Sequence, residues 1–257
     1  MQDRYVGDVG DFGKYGLLRA LCERVGLKLG VIWYYTNPTP RELERNANDG
    51  RHIGYLDLAN PEEPSAKFVR MYKNCDPELY DALRKIVGST EGREERRKLV
   101  KVEDEGRNIL PKQTVFFRDL VPETDERSEW AKRARESVAC CNVVFLDPDN
   151  GLWIESEPAS KKHVLKEELK CLLDDPEKSV IVYQHANRAT GGVQNLFVKR
   201  KRDIEDLGRK TVLGLWFHRG TARVYFIIPS KHKNHFAPTK FEEILDCWMI
   251  NKHFTSL

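Results

Sequence analysis

Three short, almost continuously apolar runs constrain what this chain can fold into: residues 28–35, Asn142–Leu146 and Ser179–Tyr183. Each has the length of a strand, and each is apolar at both odd and even positions. That pattern predicts strands buried on both faces. Helical patterns separate them. Trp130, Ala131, Ala134 and Val138 recur at helical spacing over 126–138, and further helices are predicted at 163–174 and 193–207. Strands alternating with helices imply a mostly parallel sheet covered by helices on both faces. Thr114–Arg118 supplies another strand. Val212–Phe217 and Arg223–Ile228 flank the turn His218-Arg219-Gly220-Thr221, which predicts an antiparallel hairpin near the end of the sheet.

Before the first strand, Leu17, Leu18, Leu21 and Val25 share one face of a helix over 11–25, with Asp11 as its cap and Gly26 at its end. Residues 36–63 read as loop with a short strand at 53–57. Helices follow at 64–74 and 76–88, the second opened by Asp76-Pro77. Residues 89–112 are charged and without a clear period, and a last helix is expected at 240–250. The expected architecture is one α/β domain over residues 1–257, Rossmann-like and doubly wound, with a helical insertion at 36–112.

Length and charge narrow the classes. A chain of 257 residues can bury a core without covalent staples. The six cysteines form no Cys-x-x-Cys pair and no zinc spacing, and Cys140 and Cys141 read as buried thiols. No apolar segment precedes Asp8 and Asp11, and no run of about 18 apolar residues occurs, so a cytoplasmic protein without signal peptide or membrane span is expected. A net charge of +3 leaves a nucleic-acid partner to be argued from local clusters. Lys199-Arg200-Lys201-Arg202, the group Arg93, Arg96, Arg97 and Lys98, and Lys231-His232-Lys233 are such clusters. Solvated helix faces explain most runs of this kind. As a phosphate-contacting surface, Lys199, Arg200 and Arg202 would act together with Arg219 in the hairpin turn.

Chemistry concentrates where the second apolar run ends, in Leu146-Asp147-Pro148-Asp149-Asn150-Gly151. In an open α/β sheet, ligands bind at the carboxyl ends of strands. Two acids and an amide there can hydrogen-bond an amino group or ligate a hard cation. An ordinary Asp/Asn/Gly turn is the plainer alternative. The third run ends in Gln184-His185, and His185 beside an acidic strand end is a candidate base or metal ligand. The N-terminal stretch Gly7-Asp8-Val9-Gly10-Asp11-Phe12-Gly13-Lys14 can form a tight loop against a ligand or a helix start.

Asp147-Pro148-Asp149-Asn150 resembles the Asp/Asn-Pro-Pro-Tyr motif of amino-methyltransferases, and the sheet with its closing hairpin is similar to the class I S-adenosylmethionine-dependent methyltransferases. The resemblance implies methyl transfer from S-adenosylmethionine to an exocyclic amine of a nucleic-acid base, with Asp147 receiving the amine. Asn150 stands where that motif has its aromatic residue, with Trp153 three residues on. The segment from Tyr5 to Leu18 resembles the opening of the large-subunit ribosomal RNA adenine-N6 methyltransferases. That likeness places Tyr5, Asp11 and Lys14 near the cofactor or substrate. Tyr35 is a further cofactor candidate, although Tyr34 and Tyr35 suit sheet packing better than cofactor contact. The first strand runs into Thr36-Asn37-Pro38 rather than a glycine loop, and Asn48-Asp49-Gly50-Arg51-His52 comes later in its stead.

Two other readings use the same residues. A metal-dependent nuclease or phosphoesterase would hold Mg2+ or Mn2+ with Asp147, Asp149 and His185, completed by Asp8 or Asp11. A non-catalytic binding protein on a degenerate methyltransferase fold would need none of this chemistry.

Overall fold

A computed structural model describes residues 1–23, 26–45, 50, 52–56, 64–88, 93–123, 125–153, 160–186, 191–233, 235–236, 245–246, 248 and 252–257. After a short 3-10 turn at Asp3–Tyr5 come helix α1 (Val9–Cys22), strand β1 (Leu29–Trp33) and helix α2 (Pro40–Arg45). Helices α3 (Pro64–Lys73), α4 (Pro77–Val87), α5 (Arg93–Arg96), α6 (Leu99–Asp104) and α7 (Gly106–Ile109) lead to β2 (Val115–Phe117). Then follow α8 (Arg127–Ser137), β3 (Val143–Asp147), β4 (Gly151–Leu152), β5 (His163–Val164), α9 (Lys166–Leu173) and β6 (Ser179–His185). Helix α10 (Gly192–Glu205), β7 (Leu213–Phe217), β8 (Arg223–Ile228) and β9 (Phe254–Ser256) complete the described elements.

The main sheet has the order β2-β1-β3-β6-β8-β7-β9. Strands β2, β1, β3 and β6 are mutually parallel. Strands β8, β7 and β9 continue it in antiparallel pairing. The later hairpin strand, β8, therefore wedges between β6 and its own predecessor β7. The three apolar runs became β1, β3 and β6. All but one of their residues are buried, the exception being the half-buried His185, because helices cover both faces. On one face α1 and the helices of residues 77–110 pack Phe12, Leu18, Leu83 and Val102 against Val31, Phe145 and Ile181. On the other, Trp130, Leu172 and Phe197 from α8, α9 and α10 pack against Ile32, Val144 and Val182. Burying a side chain of this size contributes about 1.5–3 kcal/mol.

Four expectations change. The short strand at 53–57 is a 3-10 turn, Gly54–Leu56. Strand β1 already has β2 and β3 on its two edges, so no edge is open to it there. Tyr55 instead packs into the α1 core and donates its hydroxyl to Gly7 O. Asp8, not Asp11, caps α1, accepting from Gly10 N at 3.0 Å. Residues 163–164 pair with β4 before α9 begins. The charged stretch 93–109 is helical, held by Leu99, Val102 and Ile109 in the core. The helix expected at 240–250 lies mostly outside the described residues. Among the described residues, no helix is long and apolar enough to cross a membrane.

Candidate functional site

Strand alternation places the polar groups. Val143 and Phe145 face α1, Val144 and Leu146 face away, and Asp147 returns to the α1 side. Register then sets its neighbours. Trp33 lies opposite Asp147 on β1, and Leu146 opposite Val182 brings Tyr183 alongside on β6. Tyr183 pairs with Tyr225, and His185 with Arg223, on β8. The face under α1 thus turns from apolar to polar at the carboxyl ends of β1, β3 and β6.

Helix α1 meets this polar row with Lys14. Its Nζ lies 2.7 Å from Asp147 Oδ2 and 2.8 Å from Asp11 Oδ1. Asp11 Oδ2 accepts from Gly7 N at 3.0 Å and from the Tyr15 hydroxyl at 3.3 Å. Burial opposes the Lys14 charge, but the two carboxylates outweigh it and hold its pKa above the ordinary lysine value. Burial also lifts the Asp147 carboxyl above its usual range, against the pull of Lys14 and the amino-terminal ammonium. Both side chains are almost wholly enclosed, so neither ion is screened by water.

Asp149 faces the amino terminus: the Met1 ammonium is 2.8 Å from Oδ1, and Gln2 Nε2 donates to Oδ2 at 3.2 Å. The same ammonium donates to Tyr34 O at 2.5 Å. Asp8 receives Arg223 Nη2 at 2.8 Å and His52 N at 3.1 Å. Tyr183 and His185 share a hydrogen bond from the tyrosine oxygen to Nδ1 at 3.3 Å. Burial pushes the Tyr183 hydroxyl up to about 12, with Arg223 opposing. Gly151, at φ +112°, lies against the Gln184 side chain, which accepts from Leu152 N and donates to Asn150 O. A Cβ at Gly151 would overlap that amide, so the glycine serves this contact.

These groups enclose a cavity of about 500 Å³. Asp147, Asp149, Asn150 and His185 line it, as do Tyr5, Asp11 and Lys14. Tyr35 is not among its lining residues; its hydroxyl donates to Asp3 Oδ2 at 3.2 Å. Trp153 lines a different cavity, between α9 and α10. Tyr183 and Arg223 line the main cavity without having been singled out as its residues, together with Asp8, named only as a possible member of a metal shell, and His52, named only within the segment 48–52. Arg223 carried a readable signal: it heads the Arg223-Tyr225-Ile227 face of an otherwise apolar strand. Asn48, Asp49 and Arg51 lie outside the described residues.

The N-terminal glycines do other work than expected. Cβ atoms at Gly10, Gly13 and Gly16 would overlap Arg223, Phe217 and Trp248. Spaced by three on α1, they let the helix approach the sheet closely. Of the three, Gly10 also lines the cavity. Two of the basic clusters each give one arginine to the interior. Arg200 is buried, paired with Asp203 at 2.8 Å and directed at Trp153 O. Arg97 donates to Val6 O and Gly50 O beneath the N-terminal loop. Arg219 donates to His253 Nδ1 at 3.2 Å. Lys199 and Arg202 remain exposed on α10.

The carboxylates of this cavity are balanced by cations of the chain itself. Among the described residues, no group of three or more His, Cys, Asp and Glu side chains is placed to hold a metal ion. Comparison of the sequence with protein-family models finds no match, and comparison with curated proteins finds none.

Proposed function

We propose that the chain is a methyltransferase-like enzyme that uses S-adenosylmethionine to methylate an amine of a nucleic-acid base. The observation that carries the reading is Asp147 at the carboxyl end of β3, facing a cavity of about 500 Å³ beside β1 and β6. Cavities of roughly 300–1,000 Å³ suit ligands of cofactor size. The sheet order, with an antiparallel strand wedged between β6 and β7, agrees with the class I arrangement that the resemblance implies. The helices between β1 and β2 fit the insertion that the resemblance implies there.

The residues fit the methyl donor in their chemistry. Its ammonium and ribose hydroxyls are donors, and Asp8, Asp11 and Asp149 line the cavity as carboxylates that a bound donor would share with Arg223, Lys14 and the Met1 ammonium. Gly50 and Tyr5 bring a backbone edge and a ring to the same space. The departure lies after β1, where Met1 packs along Tyr34–Thr36 through hydrogen bonds to Tyr34 O and from Thr36 N. When bound, the donor supplies an electrophilic methyl group.

Lys14 holds Asp147 Oδ2 and so fixes the carboxylate plane. In this reading Oδ1 would accept from the acceptor amine, align its nitrogen, and take up the proton that the nitrogen gives up. An enclosed carboxyl whose pKa is raised is suited to that proton. Positioning supplies most of the rate, since such an amine needs no strong base. In this reading Asn150, at the exposed lip, and His185, tied to Tyr183, would contact the base edge.

Calorimetry with S-adenosylmethionine in the presence of a chelator tests the reading, together with transfer of labelled methyl groups to RNA and DNA. Binding is expected without metal, and Asp147→Asn, which keeps the side-chain shape, is expected to abolish transfer. Absence of binding, or cleavage of nucleic acid on adding Mg2+ or Mn2+, overturns the proposal. An Asp147→Asn variant that is folded and fully active overturns the role of Asp147.

A further inference from the structure

On the sheet face opposite α1, a second cavity of about 310 Å³ lies in the groove between α9 and α10. Phe197, Arg200 and Ile204 are the buried residues of α10, three and four positions apart. That spacing is the inward stripe of a helix, which apolar residues normally fill. Arg200 puts a guanidinium there, and it is only 4 % exposed. Its Nη1 donates to Asp203 Oδ2 at 2.8 Å and to Trp153 O at 3.4 Å. Its Nε is buried and has no hydrogen-bond partner. A buried donor without an acceptor costs the desolvation of that group and gains nothing in return. Nε and Nη2 form the side-on edge of the guanidinium, the edge that holds two oxygens of one oxyanion. The protein's own acceptors gather at Nη1 instead, and Arg200 lines the cavity.

We propose that this cavity binds a nucleotide, with its phosphate on the free edge of Arg200. The lining suits both halves of such a ligand. Lys166 and Lys199, one on each helix, are exposed at the rim. Asp203 and Asp206 also line the cavity, and Asp203 is already paired with Arg200. The cations therefore outnumber the carboxylates, which favours a phosphate. Leu152, Val164, Leu169 and Ile204 give the cavity a buried apolar floor. Trp153 adds aromatic surface, fixed beside β5 by its N–H to Val164 O at 2.9 Å. Bases stack on such surfaces. The volume sits at the small end of the roughly 300–1,000 Å³ range of ligand sites, which suits a single nucleotide. A free nucleotide and one unit of a single strand present the same phosphate and base. No lining residue is shared with the cavity under α1, so the proposal stands apart from the methyltransferase reading.

Adenosine monophosphate and a short single-stranded RNA are the probes, titrated into the full chain by calorimetry, with adenosine as the control. The monophosphate is expected to bind, and adenosine to bind at least about tenfold more weakly, because it lacks the group that Arg200 holds. Arg200→Lys keeps the charge but loses the fork, and is expected to weaken binding about 10- to 100-fold. Lys199→Glu, on the exposed rim, carries the test if Arg200→Lys does not fold, and is expected to weaken binding about three- to tenfold. Asp147→Asn is expected to leave this binding unchanged. Binding of the monophosphate identifies a free nucleotide as the ligand. Binding of the RNA alone, weakened by the same variants, identifies a strand. The proposal is overturned if neither probe binds, if adenosine binds as tightly as its monophosphate, or if folded Arg200→Lys or Lys199→Glu binds as the parent does. Binding lost in Asp147→Asn also overturns it, since the nucleotide then occupies the cavity under α1.

Discussion

Lys14 Nζ and Asp147 Oδ2 lie 2.7 Å apart with side chains only 4 % and 3 % exposed, which joins the first helix to the end of a central strand through one buried ion pair. Asp11 shares the same ammonium. Removing the cation leaves two buried carboxylates without the counter-charge they share, and breaking such a pair costs about 3–5 kcal/mol. Lys14→Met is therefore expected to lose stability of that order in urea unfolding. Asp147→Asn, which leaves Lys14 with Asp11, is expected to lose less. The double variant is expected to lose less than the sum of the two. Strict additivity would show that the two groups do not interact.

The same pair fixes a pH dependence. The Lys14 pKa is raised above its ordinary 10.5, so its contribution is whole below that value and fades as pH climbs through the raised value. Unfolding measured as pH rises above 10.5 is expected to show a loss of stability that Lys14→Met lacks.

His253 sets the acid side. Burial, with Arg219 adding to it, depresses its pKa to about 4, while Met71 O opposes the shift. The unfolded chain binds this proton near 6.5, so stability falls as pH drops from about 6.5 to 4 and not further. The integrated loss is about 3 kcal/mol from this group. His253→Gln is expected to flatten that part of the stability profile. Parallel profiles for the two proteins would remove His253 as the cause.

The glycines of α1 give a paired test. A Cβ at Gly13 would overlap the Phe217 ring, whereas one at Gly106 in α7 meets open space at ordinary φ. Gly13→Ala is expected to cost about 1–3 kcal/mol as overpacking. Gly106→Ala is expected to gain about 0.5–1 kcal/mol through helix propensity. Thermal unfolding midpoints moving in opposite directions check both; a neutral Gly13→Ala would mean the helix can lift from the sheet.

Much of this was legible in the residues, and the limits have physical causes. The apolar runs at 28–35, 142–146 and 179–183 announced themselves because a strand covered on both faces needs both alternating sets apolar. Asp147 and His185 could be placed in one cavity because carboxyl strand ends in a parallel sheet share an edge. The role of Gly10, Gly13 and Gly16 could not be read. A glycine's use depends on what approaches it, and Arg223, Phe217 and Trp248 come from some 200 residues away. Arg97 and Arg200 looked like surface charge for the same reason: their acceptors, Val6 O, Gly50 O and Trp153 O, are backbone atoms that carry no sequence signal. The residues at 54–56 are apolar enough for a strand, but both edges of β1 are taken by β2 and β3, and Tyr55 and Leu56 join the core against α1 instead.

The contact between Asp8 and Arg223 spans 215 positions of the chain. On a ribosome, an N-terminal arm synthesised first must wait for the hairpin before its aspartate meets that guanidinium. One wall of the cavity is thus the last part to arrive, and closing so large a loop slows assembly. Any ligand for this cavity can recognise only a nearly finished molecule, so its binding reports on completed folding as well as on chemistry.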